Sequence, residues 1–493
     1  MIHDWTRLLL RLGRKARPAT AEAASGALIG YTSEGVGVRW PAPTRELAAH
    51  GLVLGASGAG KTVLTVTALL GELATLQQRP GDERPVLCVV DPKGDLVAGL
   101  LEGLAYNAPE LLSSVNYLDP FGPGFPFNLR HLALGETPLD IRATQLAALV
   151  AEVSTSTGSQ RHLGVGARQV DALVHLILAA LDTEHPDGSV LWALDALTTA
   201  EGFAGLAKLT RSARARQFLK SARLSDELRA STASRLRAAF AATSSLERLV
   251  TTPSCLQLAD LLAPGAITLI DLGRPTAGLT SLQTFYANLL VRLIVEHLME
   301  RPSPYRGAHV RLVIDEAQVV AAVLSDVAER VLTTGRSRAV SLTALSQGTV
   351  LLREAGASLL QVLLTNSPLK LVGRLAAPDA ALLAREQAPR PGVDEPAGRI
   401  RERFASAVTN LPEREFFCLR PSQRQRFTSL TVDLPAWERA AEEGRAVIEA
   451  VKERHAVPPA DGRLTLVQAV KSRRPRPGPG PSPGRPPVRS PWD

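Results

Sequence analysis

Residues 50–62 read HGLVLGASGAGKT, and this stretch decides the fold. Its last eight residues match the pattern G-x-x-x-x-G-K-[ST], with an apolar strand pattern before them and a helical pattern, VLTVTALLGELATL, after them. In such a motif, the backbone N–H groups of the loop and of the helix start surround phosphate groups. The sequence therefore predicts an ATP site formed by Gly55, Ala56, Ser57, Gly58, Ala59, Gly60, Lys61 and Thr62. Within it, Lys61 would neutralise the β- and γ-phosphate oxygens, and Thr62 would ligate Mg²⁺.

Short apolar runs bounded by turn residues recur on both sides of this loop. They are GLVLG (51–55), VLCVVD (86–91), ITLIDL (267–272), VRLVID (310–315), VSLTAL (340–345) and LKLVGRL (369–375). Apolar runs without alternation are typical of parallel strands that are buried on both faces. The stretch from about 135 to 262 instead has helical spacing and is rich in alanine, leucine and arginine. We therefore predict an α/β fold with a parallel-rich central sheet and an inserted all-α domain.

Two acidic residues end one of these strands, in the segment RLVIDEAQ (311–318). The carboxyl ends of strands form the ligand-binding edge of a parallel sheet. Asp315 is predicted to complete the Mg²⁺ shell, and Glu316 to orient and polarise the attacking water. An acidic pair alone is as typical of a solvated strand end, but the phosphate loop favours the catalytic interpretation.

The segment TTGRSRAVSLTALSQ (333–347) places a polar residue at each end of one strand. Gln347 lies at the nucleotide edge and is predicted to sense the γ-phosphate. Arg336 precedes the strand at the opposite edge, so it would reach only the nucleotide of a neighbouring subunit, as an arginine finger in a ring. An exposed loop arginine is the alternative interpretation of Arg336, and Arg338 is the competing finger.

Composition sets the broad class of the protein. The chain has 493 residues, 45% hydrophobic and 21% charged, which excludes global disorder. It contains no apolar run of about 18 residues and no secretory signal pattern, so we expect no intrinsic membrane span. Three cysteines lie far apart without metal-ligand spacing, which predicts reduced, buried thiols. We expect a cytoplasmic protein, and leave open a peripheral location at the inner membrane.

The positive charge of the chain is concentrated at its two ends. The net charge is +8, of which +4 lies in residues 1–17 and +5 in residues 471–493. Residues 1–25 are predicted to form a basic amphipathic segment that docks on the body of the protein or binds a membrane surface or a partner. Residues 471–493 hold eight prolines and three glycines and are predicted to be a disordered tail.

A second basic region lies within the predicted helical insertion. We assign sequence-independent DNA contacts to Arg211, Arg214, Arg216, Lys220 and Arg223, because arginine and lysine bind phosphates without reading bases. A solvated helix surface is the alternative interpretation.

Taken together, these segments resemble a known family. With VVDPKGDL (89–96), YLDPFGPGFPFNLR (117–130) and GAITLIDLGRP (265–275), they are similar to the HerA/FtsK-like branch of P-loop motor ATPases over residues 50–375. Within that branch, the chain resembles the soluble ATPase body of conjugative type IV coupling proteins (TraG/TraD-like). The resemblance implies a RecA-like core, a hexameric ring and ATP-driven movement of DNA through a central channel. It places Lys61 and Thr62 on the P-loop, Asp315 and Glu316 on Walker B, Gln347 on the polar sensor, and Arg336 on the arginine finger.

The resemblance also sets the expected domain limits and functions. We expect a motor core at 26–134 and 263–435, the helical insertion at 135–262, and a C-terminal helical segment at 436–470. The expected function is a DNA-stimulated ATPase that moves DNA during transfer or mobilisation, with a relaxase, a nuclease or a membrane-anchor protein as partner. The alternatives are a HerA-like motor paired with a nuclease in DNA processing or defence, and an ATP-dependent assembly switch without DNA translocation. About 50 residues precede the loop, and none of them could span a bilayer, so we expect no membrane helices like those of anchored coupling proteins. The same 50 residues are too few for the β-barrel of typical HerA proteins, so the HerA interpretation is expected to fit less well.

Overall fold

The computed structural model describes residues 26–41, 50–76, 81–122, 138–152, 166–183, 185, 188–199, 201–221, 224–251, 257–273, 280–388, 396–421, 423–430, 434–454 and 465–472. The predicted N-terminal segment 1–25, Arg223, and residues 473–493 of the predicted tail lie outside these ranges. Within them, no helix combines the length and apolar character that crossing a bilayer requires.

One eleven-stranded sheet forms the centre of the described part of the chain. Its strands are β1 (Ala27–Tyr31), β2 (Gly37–Trp40), β3 (Gly51–Leu54), β4 (Val86–Asp91), β5 (Val115–Leu118), β6 (Ile267–Asp271), β7 (Val310–Ile314), β8 (Val340–Ser346), β9 (Leu369–Val372), β10 (Glu415–Leu419) and β11 (Arg424–Ser429). Their order across the sheet is β2-β1-β11-β10-β9-β3-β8-β7-β4-β6-β5. The strands from β9 to β5 are parallel, and those from β9 to β2 are antiparallel.

All six predicted strands lie in the parallel half, which confirms the predicted fold class. The sheet is buried on both faces: Leu52 and Leu54 belong to one apolar layer and Val53 to the other. Two-sided burial explains why these strands have continuous apolar sequences. Two of the antiparallel strands, β2 and β11, escaped prediction because they mix polar with apolar residues. Strand β11, RQRFTS, is an example: three of its six side chains are exposed.

Helices cover both faces of the sheet and form the inserted domain. They are α1 (Lys61–Leu76), α2 (Asp95–Asn107), α3 (Leu139–Glu152), α4 (Ala167–Leu181), α5 (Leu191–Thr198), α6 (Gly202–Leu209), α7 (Ala213–Ser221), α8 (Asp226–Phe240), α9 (Ser244–Thr251), α10 (Leu258–Leu261), α11 (Thr280–Met299), α12 (Ala321–Thr334), α13 (Thr349–Ala355), α14 (Ala357–Asn366), α15 (Ala377–Gln387), α16 (Ala397–Thr409), α17 (Leu434–Glu453) and α18 (Leu466–Ser472). Helices α3 to α10 lie between β5 and β6 in the chain, so the helical insertion interrupts the sheet as predicted.

The two last helices connect the sheet with the helical insertion. Arg454, just after α17, donates to the carbonyls of Leu112 and Ser113 beside the edge strand β5. In α18, the backbone N–H of Leu466 donates to Asp195 of α5 at 3.0 Å. Helix α18 ends at Ser472, so it includes the first two residues of the predicted tail. The predicted domain limits remain a prediction.

His50 fixes the strand that leads into the phosphate loop. Its Nδ1 accepts a 3.0 Å hydrogen bond from the backbone N–H of Leu342 in β8, and its side chain is buried. Burial, and then the nearby Arg311 cation, lower the pKa of His50 from 6.5 to about 4. Between these values the unfolded chain binds more protons than the folded chain, so stability is lost as the pH falls through this window.

Relative to a variant without a titrating group at this position, we expect the wild type to lose about 2 kcal/mol of unfolding free energy between pH 7 and pH 5 because of His50. Urea unfolding at both pH values measures this change. His50→Asn supplies a similar acceptor that does not titrate, so this variant should lose less stability than the wild type. An equal loss in both proteins would contradict the role of His50.

Candidate active site

The phosphate loop connects the end of β3 to the start of α1 at the carboxyl edge of the sheet. Gly58 and Gly60 have φ angles of 75° and 89°, which favour glycine because a Cβ strains this conformation. A Cβ built at Gly58 would meet no atom within 4 Å, so the loop has an open face there. The other side of the loop is fixed, since the backbone N–H of Ala56 donates to the carbonyl of Arg374 at 2.7 Å.

Lys61 folds back over this loop. Its ammonium group donates to the carbonyl oxygens of Gly55 at 2.5 Å and Ala56 at 3.3 Å. Burial lowers the pKa of Lys61, although the carboxylates of Glu316 and Asp315 act in the opposite direction. The ammonium group therefore lies between the loop and the acidic pair, where it can reach a bound phosphate. Thr62 follows it, half-buried in the first turn of α1.

The acidic pair lies directly after β7, two strands from β3. Asp315 and Glu316 are 5% and 4% exposed, and Asp315 accepts a 2.9 Å hydrogen bond from the backbone N–H of Glu316. Glu316 has a φ of 46°, a left-handed conformation that costs a non-glycine residue roughly 1–2 kcal/mol. Strained conformations of this kind are concentrated at functional sites.

The carboxylate of Glu316 is surrounded by hydrogen-bond donors. Oε1 accepts from Gln347 Nε2 at 2.9 Å and from Lys93 Nζ, and Oε2 accepts from Gln318 Nε2. Burial raises the pKa of Glu316, but the hydrogen bonds from Gln347, Lys93 and Gln318 outweigh it and leave the pKa lowered. Glu316 is thus held as an ionised, oriented carboxylate.

The donor set around Asp315 fits Mg²⁺. Burial, followed by the neighbouring Asp91 and Glu316 carboxylates, raises the pKa of Asp315 to about 7. A divalent cation beside Asp315 would offset this repulsion, and the Asp315 carboxylate and Thr62 hydroxyl supply the oxygen ligands that Mg²⁺ prefers. Among the described residues, no three His, Cys, Asp or Glu side chains form a metal cage.

The two candidate arginine fingers lie at the opposite edge of the sheet. Arg336 is exposed in the short 3₁₀ segment Gly335–Arg338, which precedes β8. Arg338 in the same segment donates from Nε to the carbonyl of Met299 at 3.0 Å, which fixes the end of α11. The assignment of Arg336 as the finger, with Arg338 as its competitor, remains a prediction.

The structure divides the predicted DNA-binding residues into two kinds. Arg211, Arg214 and Lys220 are exposed on or beside α7. Arg216 is half-buried and donates to the carbonyl of Thr210 at 2.5 Å, so it also holds the turn before α7. Exposed side chains are better placed to meet phosphates than Arg216.

Sequence reasoning missed several residues of the site. Lys93 and Gln318 bind Glu316, and Arg414 lies against Gly60 with its backbone N–H donating to Ala59 at 3.3 Å. Lys93 had a visible signal, because it follows the strand pattern VLCVVD by two residues. Arg414 had none, since more than 350 residues separate it from the loop.

The loop, the acidic pair and the parallel sheet define a RecA-like P-loop NTPase fold. The sequence matches no protein-family model and no curated protein. The structure is similar to the plasmid coupling protein TrwB in complex with ADP and Mg²⁺, at 18% identity and a TM-score of 0.53, over 86% of this chain and 91% of that chain. It is also similar to VirB4 of Thermoanaerobacter pseudethanolicus, at 16% identity and a TM-score of 0.56, over 84% of this chain and 98% of that chain. At these identities the similarities show a shared fold, and that fold is the one the resemblance implies.

Proposed function

We propose that this protein is a cytoplasmic ATPase motor of the coupling-protein type, which assembles as a homohexameric ring and moves DNA. The observation that carries the ATPase assignment is the convergence of Lys61, Asp315, Glu316 and Gln347 at one edge of the sheet. The similarity to TrwB, whose structure contains ADP and Mg²⁺, supports the same ligands here.

The residues of the site divide the chemistry of hydrolysis among them. The loop N–H groups and Lys61 would hold the phosphates, and Asp315 and Thr62 would hold Mg²⁺, which when bound would offset the negative charge of the phosphates. A Glu316 carboxylate oxygen accepts a proton from the attacking water. Gln347, which donates to Glu316 at 2.9 Å, orients that carboxylate and lies where it can sense the γ-phosphate.

The proposal is tested by measuring ATP hydrolysis with and without single- and double-stranded DNA, together with the particle mass in the same buffers. A motor should hydrolyse ATP, respond to DNA and form a hexamer. Slow hydrolysis that ignores DNA would favour an assembly switch, and a co-purifying nuclease would favour a HerA-like processing motor.

We expect Lys61→Ala to weaken ATP binding by about 10- to 150-fold, because a hydrogen bond to a charged group contributes roughly 1.5–3 kcal/mol. Titration with a fluorescent ATP analogue measures the affinity. Lys452→Ala, which removes a lysine from the distant helix α17, is the matched control and should bind normally. Unchanged affinity in Lys61→Ala would place the phosphates elsewhere.

We expect DNA binding to be independent of sequence and to weaken steeply with salt, because the contacts are cation to phosphate. Neutralising Arg211 and Arg214 to glutamine should reduce the slope of log affinity against log salt by roughly two. Neutralising Arg385 and Arg445, which are exposed outside the helical insertion, is the control. Equal slopes in both variants would remove α7 from the DNA site.

A further inference from the structure

Lys93 projects toward the active site from a tightly fixed turn. The turn joins β4 to α2, and Asp91 accepts hydrogen bonds there from the backbone N–H groups of Lys93 at 2.9 Å and Val97 at 3.0 Å. Gln283 of α11 donates to the carbonyl of Pro92 from the other side. Strand β4 pairs directly with β7, so the turn after β4 lies beside the acidic pair after β7.

The Lys93 ammonium group forms an ion pair with Glu316. It bonds to Oε1 of a carboxylate whose side chain is only 5% exposed, whereas the Lys93 side chain is 47% exposed. Within the described part of the chain, Lys93 is the only cationic side chain that hydrogen-bonds to Glu316. Gln347 and Gln318, the other two donors, are neutral.

The two lysines of the site have different partners. Lys61 donates to carbonyl oxygens of the phosphate loop, and Lys93 donates to the carboxylate across from it. All three hydrogen bonds are made to an ionised carboxylate, but only Lys93 adds the attraction between opposite charges to its hydrogen bond, so Lys93 restrains the direction of the Glu316 carboxylate in a way that the neutral amides cannot. That restraint acts on a residue whose backbone is already strained.

From this geometry we propose that Lys93 is a positioning residue for Glu316, which rests on the proposed ATPase function. Lys93 holds the carboxylate in the direction from which it accepts the proton of the attacking water. It acts through Glu316 and not on the nucleotide. Removing it should therefore lower turnover and leave ATP binding intact.

The test compares Lys93→Ala, Lys93→Met and Lys93→Arg with the wild-type protein by steady-state ATP hydrolysis. Mutation of a residue that orients a metal ligand typically costs 10–100-fold in affinity or activity, and we apply the same range to a residue that orients a catalytic carboxylate. We expect kcat to decrease by roughly that factor in Lys93→Ala and Lys93→Met, with KM for ATP within about twofold of wild type. Lys93→Arg keeps the charge and should restore most of the rate. Lys93→Met keeps an unbranched side chain of similar length, so it still tests the effect of removing the charge if Lys93→Ala does not fold.

A second arm separates positioning from direct phosphate contact. If Lys93 acts through Glu316, adding Lys93→Ala to Glu316→Gln should cause no further loss, because effects within one unit are not additive. The proposal would be overturned in favour of a phosphate contact if Lys93→Ala lowered kcat by the same factor in the wild-type protein and in Glu316→Gln. A raised KM with unchanged kcat in Lys93→Ala would have the same meaning. Unchanged kinetics in both neutral variants would also overturn it while leaving the ATPase assignment intact. Absence of hydrolysis in the wild type would overturn both.

Discussion

Glu316→Gln is expected to bind ATP like the wild type and to hydrolyse it roughly 10²–10⁴-fold more slowly, the range that general-base catalysis contributes. The amide cannot accept the proton of the attacking water at physiological pH. The proposed phosphate contacts are made by the loop and Lys61, which this substitution does not change. Binding of a fluorescent ATP analogue and steady-state release of phosphate measure the two effects separately.

The glutamine is expected to fit the site. Its carbonyl oxygen can still accept from Lys93 and Gln347, but its amide would face the amide of Gln318. In the wild type, the side-chain oxygen of Gln318 accepts a hydrogen bond from the hydroxyl of Ser346, which also donates to the carbonyl of Gly348 at 3.0 Å. The hydroxyl keeps the Gly348 contact if Gln318 turns its oxygen toward position 316, so Gln318 is able to turn. The matched control is Glu386→Gln on the exposed surface of α15, which should hydrolyse ATP normally. Turnover near the wild-type rate in Glu316→Gln would remove Glu316 from the mechanism.

The sequence could predict those parts of the site that are specified by neighbouring residues in the chain. The loop from Gly55 to Thr62 is contiguous, and the strand before Asp315 is apolar enough to be recognised without its neighbours. The edge at which each strand ends follows from its direction in a parallel sheet. Lys61, Asp315 and Glu316 therefore converge as predicted, although their individual roles still rest on the experiments above.

The remaining parts depend on contacts between distant segments. Lys93 meets Glu316 across 223 residues, and the register of β4 on β7 decides that contact. Arg216 and Arg214 look alike in the sequence, yet one holds a turn and the other is exposed, a difference that only packing creates. Strands β10 and β11 form a hairpin whose polar face gives too weak an alternation to separate it from loop sequence.

The second large effect concerns Arg336 and requires a ring. Strand β8 has seven residues, and a strand rises about 3.3 Å per residue, so Arg336 and Gln347 lie roughly 20 Å or more apart at opposite ends of it. Arg336 therefore cannot reach the nucleotide of its own subunit. If it completes the site of a neighbour, Arg336→Ala should bind ATP normally and lose roughly 10³–10⁵ of the hydrolysis rate, because charge on the transferred phosphate goes unmatched.

Mixing two inactive variants distinguishes a finger that acts on a neighbour from every other role. Arg336→Ala subunits keep an intact phosphate loop, and Lys61→Ala subunits keep an intact finger, so some interfaces of a mixed ring contain both. Those interfaces should recover activity, whereas a residue that only packs the start of β8 gives no recovery. Sizing of the mixture first establishes that subunits exchange and that both variants enter rings. If mixed rings form and hydrolysis stays at the level of the separate variants, Arg336 is not the finger. The same mixing experiment then applies to Arg338, whose contact with the Met299 carbonyl would have to break for it to act across an interface.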